Sequence, residues 1–165
     1  MSLIFLSDFI IPQQVVPQLR PRAAHVAGHT MVYDVHKCKT FRNLVAVIAQ
    51  QFWRQPIIQS QPVHLEIEFY LSIPKSTSKK NMKLMLEDRL LPTKKPDLDN
   101  AAKGVIDGMT GIVWHDDSQI ASLYVRKFYD TQPFTKVKVY RIDPDQTTNR
   151  DEVFIEDKEI NHEVI

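Results

Sequence analysis

The chain has 165 residues, 43% hydrophobic and 25% charged, which are the proportions of one packed domain and not of a disordered chain, a collagen-like fibre or a membrane protein. Its longest uncharged apolar stretch, 44–52, falls well short of the roughly 20 residues that a spanning helix needs. The net charge of +1 conceals an asymmetry: residues 143–165 carry a net −6 and residues 1–142 a net +7. A basic body with an acidic end fits nucleic-acid contact and also fits plain solubility.

In chain order, residues 3–11 are apolar and read as a strand, and the opening MSLIFLSDFIIP lacks the basic region and small-residue cleavage site of a signal peptide. A proline-interrupted stretch bearing Arg20 and Arg22 follows, and 25–33 is expected to pair with this region across a turn at Gly28. Residues 40–53 read as a helix, with Phe41, Leu44, Val45, Ile48 and Phe52 at steps of three and four and Thr40 as its cap. Residues 63–71 alternate, with Val63, Leu65, Ile67, Phe69 and Leu71 on one side and His64, Glu66, Glu68 and Tyr70 on the other, the pattern of a half-buried strand. Residues 75–95 are polar and basic, with a helical turn or two at 81–87. Residues 97–109 are helical and end at Gly111; 112–114 is short and extended; 119–129 and 135–142 are strands joined by a turn at 130–133. The sum is an α+β fold, a mixed β-sheet of about four or five strands with two main helices packed on one face. Cys38 is the only cysteine, so an internal disulfide and a Cys-based metal site are excluded and a reducing, cytoplasmic location is expected.

The chemistry concentrates in one window. Asp97 and Asp99 stand two residues apart after Pro96, at the start of a helix, and Asp116 and Asp117 follow between two predicted strands. Carboxylates brought together raise one another's pKa values, and a divalent hard cation removes that penalty. Mg²⁺ suits such a site because it takes oxygen ligands from carboxylates, waters and substrate phosphates. Each acid also has a plain structural reading. Asp97 alone fits an N-cap, Asp99–Lys103–Asp107 fit an exposed ion-pair ladder, and Asp116–Asp117–Ser118 fit a turn. An EF-hand is excluded by Ala101, Ala102 and Gly108, and the lysine- and proline-rich run before Asp97 is not the buried strand that a phosphoaspartate motif follows.

The segment KPDLDNAAKGVIDGMTGIVWHDDSQIASLYVRKFY resembles the core of the RusA family of Holliday junction resolvases, encoded largely by phages and prophages. Its pattern is a DLDN turn (Asp97-Leu98-Asp99-Asn100), then Lys103, Asp107, and a D-D-x-Q segment (Asp116-Asp117-Ser118-Gln119) entering a strand. The resemblance implies a resolvase domain over 1–142 followed by an acidic tail over 143–165. It also implies a homodimeric, Mg²⁺-dependent endonuclease, Mn²⁺ being a possible substitute and no organic cofactor being needed. Such an enzyme nicks opposed strands of four-way junction DNA, in the cytoplasm of a bacterial host and without a membrane partner.

Carried over residue by residue, the resemblance makes Asp97, Asp99 and Asp117 the essential acids and metal ligands, with Asp116 either a further ligand or a turn residue, and makes Lys103 the essential lysine. Asp107 matches a family position without a catalytic assignment, and His115, next to Asp116, is a candidate assistant or a structural histidine. Lys75, Lys79, Lys80, Lys83, Lys94 and Lys95, with Arg20 and Arg22, are the expected phosphate-backbone contacts, and Arg89, Arg126 and Lys127 are further basic candidates. The alternatives are a non-catalytic branched-DNA-binding protein whose acidic cluster is structural, and a general structure-selective nuclease.

Overall fold

Apolar residues at every second position of 63–71 dictate a strand buried on one side, and the sheet is built around it. The structure, a computed structural model, describes residues 2–18, 22–26, 29–33 and 36–143, with 22–26 and 29–33 described by their backbone. In chain order the described elements are β1 (Ser2–Ile11), β2 (Arg22–Val26), β3 (His29–Tyr33), α1 (His36–Phe52), β4 (Val63–Ser72), α2 (Lys79–Leu86), α3 (Leu98–Met109), a 3-10 turn (Asp117–Gln119), β5 (Ile120–Asp130) and β6 (Phe134–Asp143). Four strands form one mixed sheet in the order β1-β6-β4-β5, with β4 and β5 parallel and the other neighbours antiparallel. This is the expected α+β architecture, with α2 as a third, shorter helix. No helix among the described residues is long and apolar enough to cross a membrane.

Val63, Leu65, Ile67, Phe69 and Leu71 of β4 are buried, and so are Val137 and Val139 of β6. Together with Phe41, Val45 and Ala49 of α1 and Ala101, Ala102, Val105 and Met109 of α3, they make one apolar core. The other side of β4 is charged and paired. Glu66 meets Lys138 at 3.4 Å, and Glu68 meets Arg126 at 2.7 Å. The two helices approach closely at Gly108, where an added Cβ would lie 2.7 Å from the Cβ of Val45 and 2.9 Å from the carbonyl oxygen of Arg42. In Gly108→Ala, the gain in helix propensity of about 1 kcal/mol is smaller than an overpacking cost of about 1–3 kcal/mol. The urea midpoint of that variant is expected to fall, by roughly 1 kcal/mol of stability or more.

Three local expectations are corrected. Residues 25–33 do not join the main sheet. β2 and β3 pair with each other, from Arg22↔Tyr33 to Val26↔His29. β1 takes β6 instead, because its length matches that strand from Ser2↔Asp143 to Ile11↔Thr135. Gly28 lies outside the described residues. Thr40 is not a cap, since α1 begins one turn earlier and the Thr40 hydroxyl donates to the carbonyl of His36 at 3.0 Å, as an in-helix threonine does. Residues 112–114 are not an extended strand. The N–H groups of Ile112 and Val113 both fold back on the carbonyl of Met109, a tight turn that buries Val113 and Trp114 beneath the helix end.

The turn at 130–133 does join β5 to β6, but these strands are not neighbours, and β4 lies between them. Tyr70 of β4 accordingly stacks between Phe128 of β5 at 5.2 Å and Phe134 of β6 at 4.2 Å. Burial, then the charge of Glu68 and the bond that the Tyr70 hydroxyl donates to it, push the pKa of this phenol up to about 12. A raised folded-state pKa contributes stability that is complete below the unfolded pKa near 10 and is lost as pH rises through the folded value. The stability difference between wild type and Tyr70→Phe, read by urea unfolding, is expected to shrink between pH 10 and about 12.

Candidate active site

Asp97 occupies the N-cap position of α3 with extended backbone (φ −67°, ψ 136°), yet its side chain makes no capping hydrogen bond. The structural duty that its position suggests is therefore not what engages this carboxylate. Asp99 lies in the first helical turn, where the helix dipole favours negative charge, and both acids are exposed. The Asn100 carbonyl accepts the N–H of Gln18 at 2.8 Å, so the stretch leading to β2 is fastened beside this turn. Leu98, Asp99 and Ala102 of α3, with Leu123 and Val125 of β5, line an open groove of about 500 Å³. Lys103, one turn beyond Asp99, lies 4.0 Å from the half-buried Asp107, an i,i+4 pair of the kind worth about 0.2–0.5 kcal/mol.

The second pair of acids is held by a different device. Asp116 caps the 3-10 turn. Its carboxylate accepts the N–H of Ser118 at 2.9 Å, and its own N–H donates to the side-chain oxygen of Gln119 at 3.0 Å. The bonds from the Ser118 side chain and backbone hold the Asp116 carboxyl below the usual carboxylate range. Gln119 also donates to the carbonyls of Ile58 at 3.1 Å and Gln61 at 3.4 Å, and the N–H of His115 donates to Ile58 at 3.0 Å. Asp117 is thus fixed, exposed, at the foot of β5.

The two pairs do not gather within one chain. Asp99 stands beside Leu123 and Val125, whereas Asp117 precedes Ile120. Ile120 and Leu123 alone are about 10 Å apart at the usual strand rise. Among the described residues, no group of three or more His, Cys, Asp or Glu side chains could hold a metal ion. The carboxylates are hard oxygen donors of the type Mg²⁺ takes, so the donor chemistry fits the ion while the arrangement within a single chain does not.

Most of the basic candidates fall in the segment 75–95, whose helix α2 packs against β5. Lys75, Lys79, Lys80, Lys83, Lys94 and Lys95 are all exposed. Three of them ride on α2, which Ser78 caps by accepting the N–H of Asn81 at 3.3 Å. Arg22 opens β2, and Arg20 lies outside the described residues. Arg126 is engaged with Glu68.

Lys127 has a tethering role that the sequence did not announce. Its ammonium donates to the carbonyls of Lys94 at 3.1 Å and Pro96 at 3.0 Å, tying the entry of the DLDN turn to β5 across the cis Lys95–Pro96 bond. The available signal was its alternation with Val125 and Tyr129 on one side of the strand, where a lysine needs oxygen partners. Replacing Lys127 with Met is expected to cost about 1–3 kcal/mol in urea unfolding, the range for losing charged hydrogen bonds.

The model of a family described as "Endodeoxyribonuclease RusA" matches residues 12–140 of this chain. A Bacillus subtilis (strain 168) protein described as "Uncharacterized protein YqaN" is 36% identical over 136 residues, covering 81% of this chain and 95% of that one. The family match takes in the DLDN turn, α3, the capped Asp116–Gln119 turn and β5, and stops short of the acidic tail. On the length of that match and the identity to its relative, the chain belongs to the RusA family of endodeoxyribonucleases.

Proposed function

We propose that this protein is a Mg²⁺-dependent Holliday junction resolvase, with Mn²⁺ as a substitute ion. It acts as a homodimer that hydrolyses two opposed strands of a four-way DNA junction during recombination and repair. The observation that carries this reading is the exposed pair Asp97 and Asp99, with no side-chain capping bond at Asp97, set beside an open groove in a member of an endodeoxyribonuclease family.

Phosphodiester hydrolysis needs an activated water and relief of negative charge in the transition state. When bound, the ion supplies a water of lowered pKa and a counter-charge for the phosphate. The chain's own groups divide the rest. Asp97, Asp99 and Asp117 provide hard oxygen donors, and Lys103 places a positive charge one helical turn from Asp99 to steady developing anionic oxygens. The exposed lysines of 75–95 hold the phosphate backbone without reading its sequence. A junction with two-fold symmetry calls for two sites related by the same operator, hence the dimer.

A second reading, a branched-DNA-binding protein without cleavage, is favoured by one observation: a single chain does not bring three carboxylates into one cluster among the described residues. Incubating the purified protein with a synthetic mobile junction, a flap and a plain duplex, with Mg²⁺, Mn²⁺ or chelator, separates the possibilities. A resolvase gives paired symmetric nicks in the junction with either ion and none with chelator. Equal cutting of flap and junction points to a general structure-selective nuclease. Tight, salt-sensitive binding without cutting under any ion leaves only the second reading.

A further inference from the structure

We propose that the pocket between the 55–61 segment, β1 and β6 seats one unpaired base of a junction strand, and that Gln55 and Gln59 select which base it is. The inference rests on the resolvase reading above and adds to it the choice of the sequence that is cut.

The pocket has a volume of about 280 Å³ and lies at the end of the sheet that carries the Asp116–Gln119 turn. Leu6, Trp53 and Ile57 give it apolar walls. The exposed Gln55, Gln59 and Gln61 and the half-buried Arg141 give it polar ones, and no carboxylate is among its lining residues. Ligand pockets usually run from about 300 to 1,000 Å³, so this one admits a single ring system and not a duplex.

The chemistry of the lining names the occupant. A nucleobase has two flat apolar faces and an edge of hydrogen-bond donors and acceptors. A glutamine amide offers both kinds of group and pairs bidentately with such an edge, as with N6 and N7 of adenine. Arg141 supplies positive charge for the phosphate attached to that base. Trp53 adds a demand of its own. It lines the pocket and is 7% exposed, and among the described residues its indole N–H meets no acceptor. Buried donors are normally paired, and a carbonyl oxygen or ring nitrogen of a seated base is the acceptor that this wall lacks.

The pocket is also braced against the candidate active site. The side chain of Gln119 donates to the carbonyls of two lining residues, Ile58 at 3.1 Å and Gln61 at 3.4 Å, and the N–H of His115 donates to Ile58 at 3.0 Å. Arg141 and Ile120 both stand opposite Val63, on the two strands that flank β4. Their backbones are therefore about 10 Å apart at the usual strand spacing. A stacked strand covers that span with about three nucleotides, so a base in the pocket belongs to the sequence around a phosphate brought to Asp117. Bases at the exchange point of a junction are the least costly to unstack, because pairing is already interrupted there.

A pool of mobile four-way junctions with a randomised core tests the proposal, by sequencing the protein-bound fraction in chelator and the cut strands in Mg²⁺. The wild type is expected to favour one base at a fixed position by at least about 10-fold in both fractions. Gln55→Ala/Gln59→Ala, changed at two exposed positions, is expected to bring that preference to near parity. Arg141→Gln is expected to weaken binding to every sequence alike and to lower the slope of log K against log salt by about one.

A wild type that binds and cuts all cores equally overturns the proposal. So does a preference that survives the Gln55→Ala/Gln59→Ala change, or an Arg141→Gln variant with unaltered affinity and salt slope. A base preference in the bound fraction that the glutamine changes remove, from a protein that cuts nothing in Mg²⁺ or Mn²⁺, upholds the pocket and refutes the resolvase reading instead.

Discussion

Asp99→Asn is expected to reduce junction cleavage on the order of 10³-fold while leaving junction binding intact. The substitution keeps the shape of the side chain and removes its charge. Asp99 is exposed in the first turn of α3, and the N-cap position belongs to Asp97, so the fold has little to lose. Weakening of the helix-dipole interaction amounts to about 0.3–1 kcal/mol. The catalytic loss is larger because a carboxylate that helps hold the ion contributes several kcal/mol of transition-state stabilisation, and each 1.36 kcal/mol is a factor of about ten in rate. Binding should be unchanged or slightly tighter at low salt, since a negative charge facing phosphates has been removed. Cleavage of a labelled junction and its gel shift in Ca²⁺ or chelator measure the two quantities separately. Equal cleavage by wild type and variant would remove Asp99 from the machinery, and parallel loss of binding and cleavage would make it a folding residue.

What the sequence reveals here follows the range of the interaction involved. The alternation of β4 and the stripe of α3 are local periodicities, and both elements lie where those patterns put them, because burying Val63 to Leu71 and Ala101 to Met109 on one side permits little else. Gly111, with φ of 80°, follows the end of α3 as its composition suggested. The insertion of β4 between β5 and β6 depends on pairing between residues more than 50 positions apart, and a turn of three residues reads like a hairpin until the middle strand is known. Lys127 reaches carbonyls more than 30 positions away, and nothing near it in the chain says so. The acids of the site are named by the DLDN and D-D-x-Q patterns, yet their separation arises from α3 running back along β5, which spacing alone does not encode.

Trp114→Ala is expected to be the most destabilising single change near the site, by about 3–5 kcal/mol, the usual range for emptying a fully buried tryptophan position. Trp114 is 0% exposed, and its indole N–H donates to the Thr110 hydroxyl at 3.1 Å. Thr110 in turn donates to the carbonyl of Ile106, so deletion of the ring leaves a cavity and also loosens the end of α3. Its backbone carbonyl accepts the N–H of Gly111, and the residue bridges to Ile58, the segment that Gln119 braces. Against a typical domain stability of about 5–15 kcal/mol, such a loss consumes about a fifth or more of the margin, and in calorimetry it should lower Tm by roughly 6–20 °C. Trp114→Phe keeps most of the volume and loses the bond to Thr110, so it should fall well short of that drop. Because the same turn carries Asp116 and Asp117, the Ala variant at a temperature where it remains folded should also cut more slowly than its Phe counterpart. Equal cleavage by the two folded variants would show that Trp114 supports the fold without positioning Asp117.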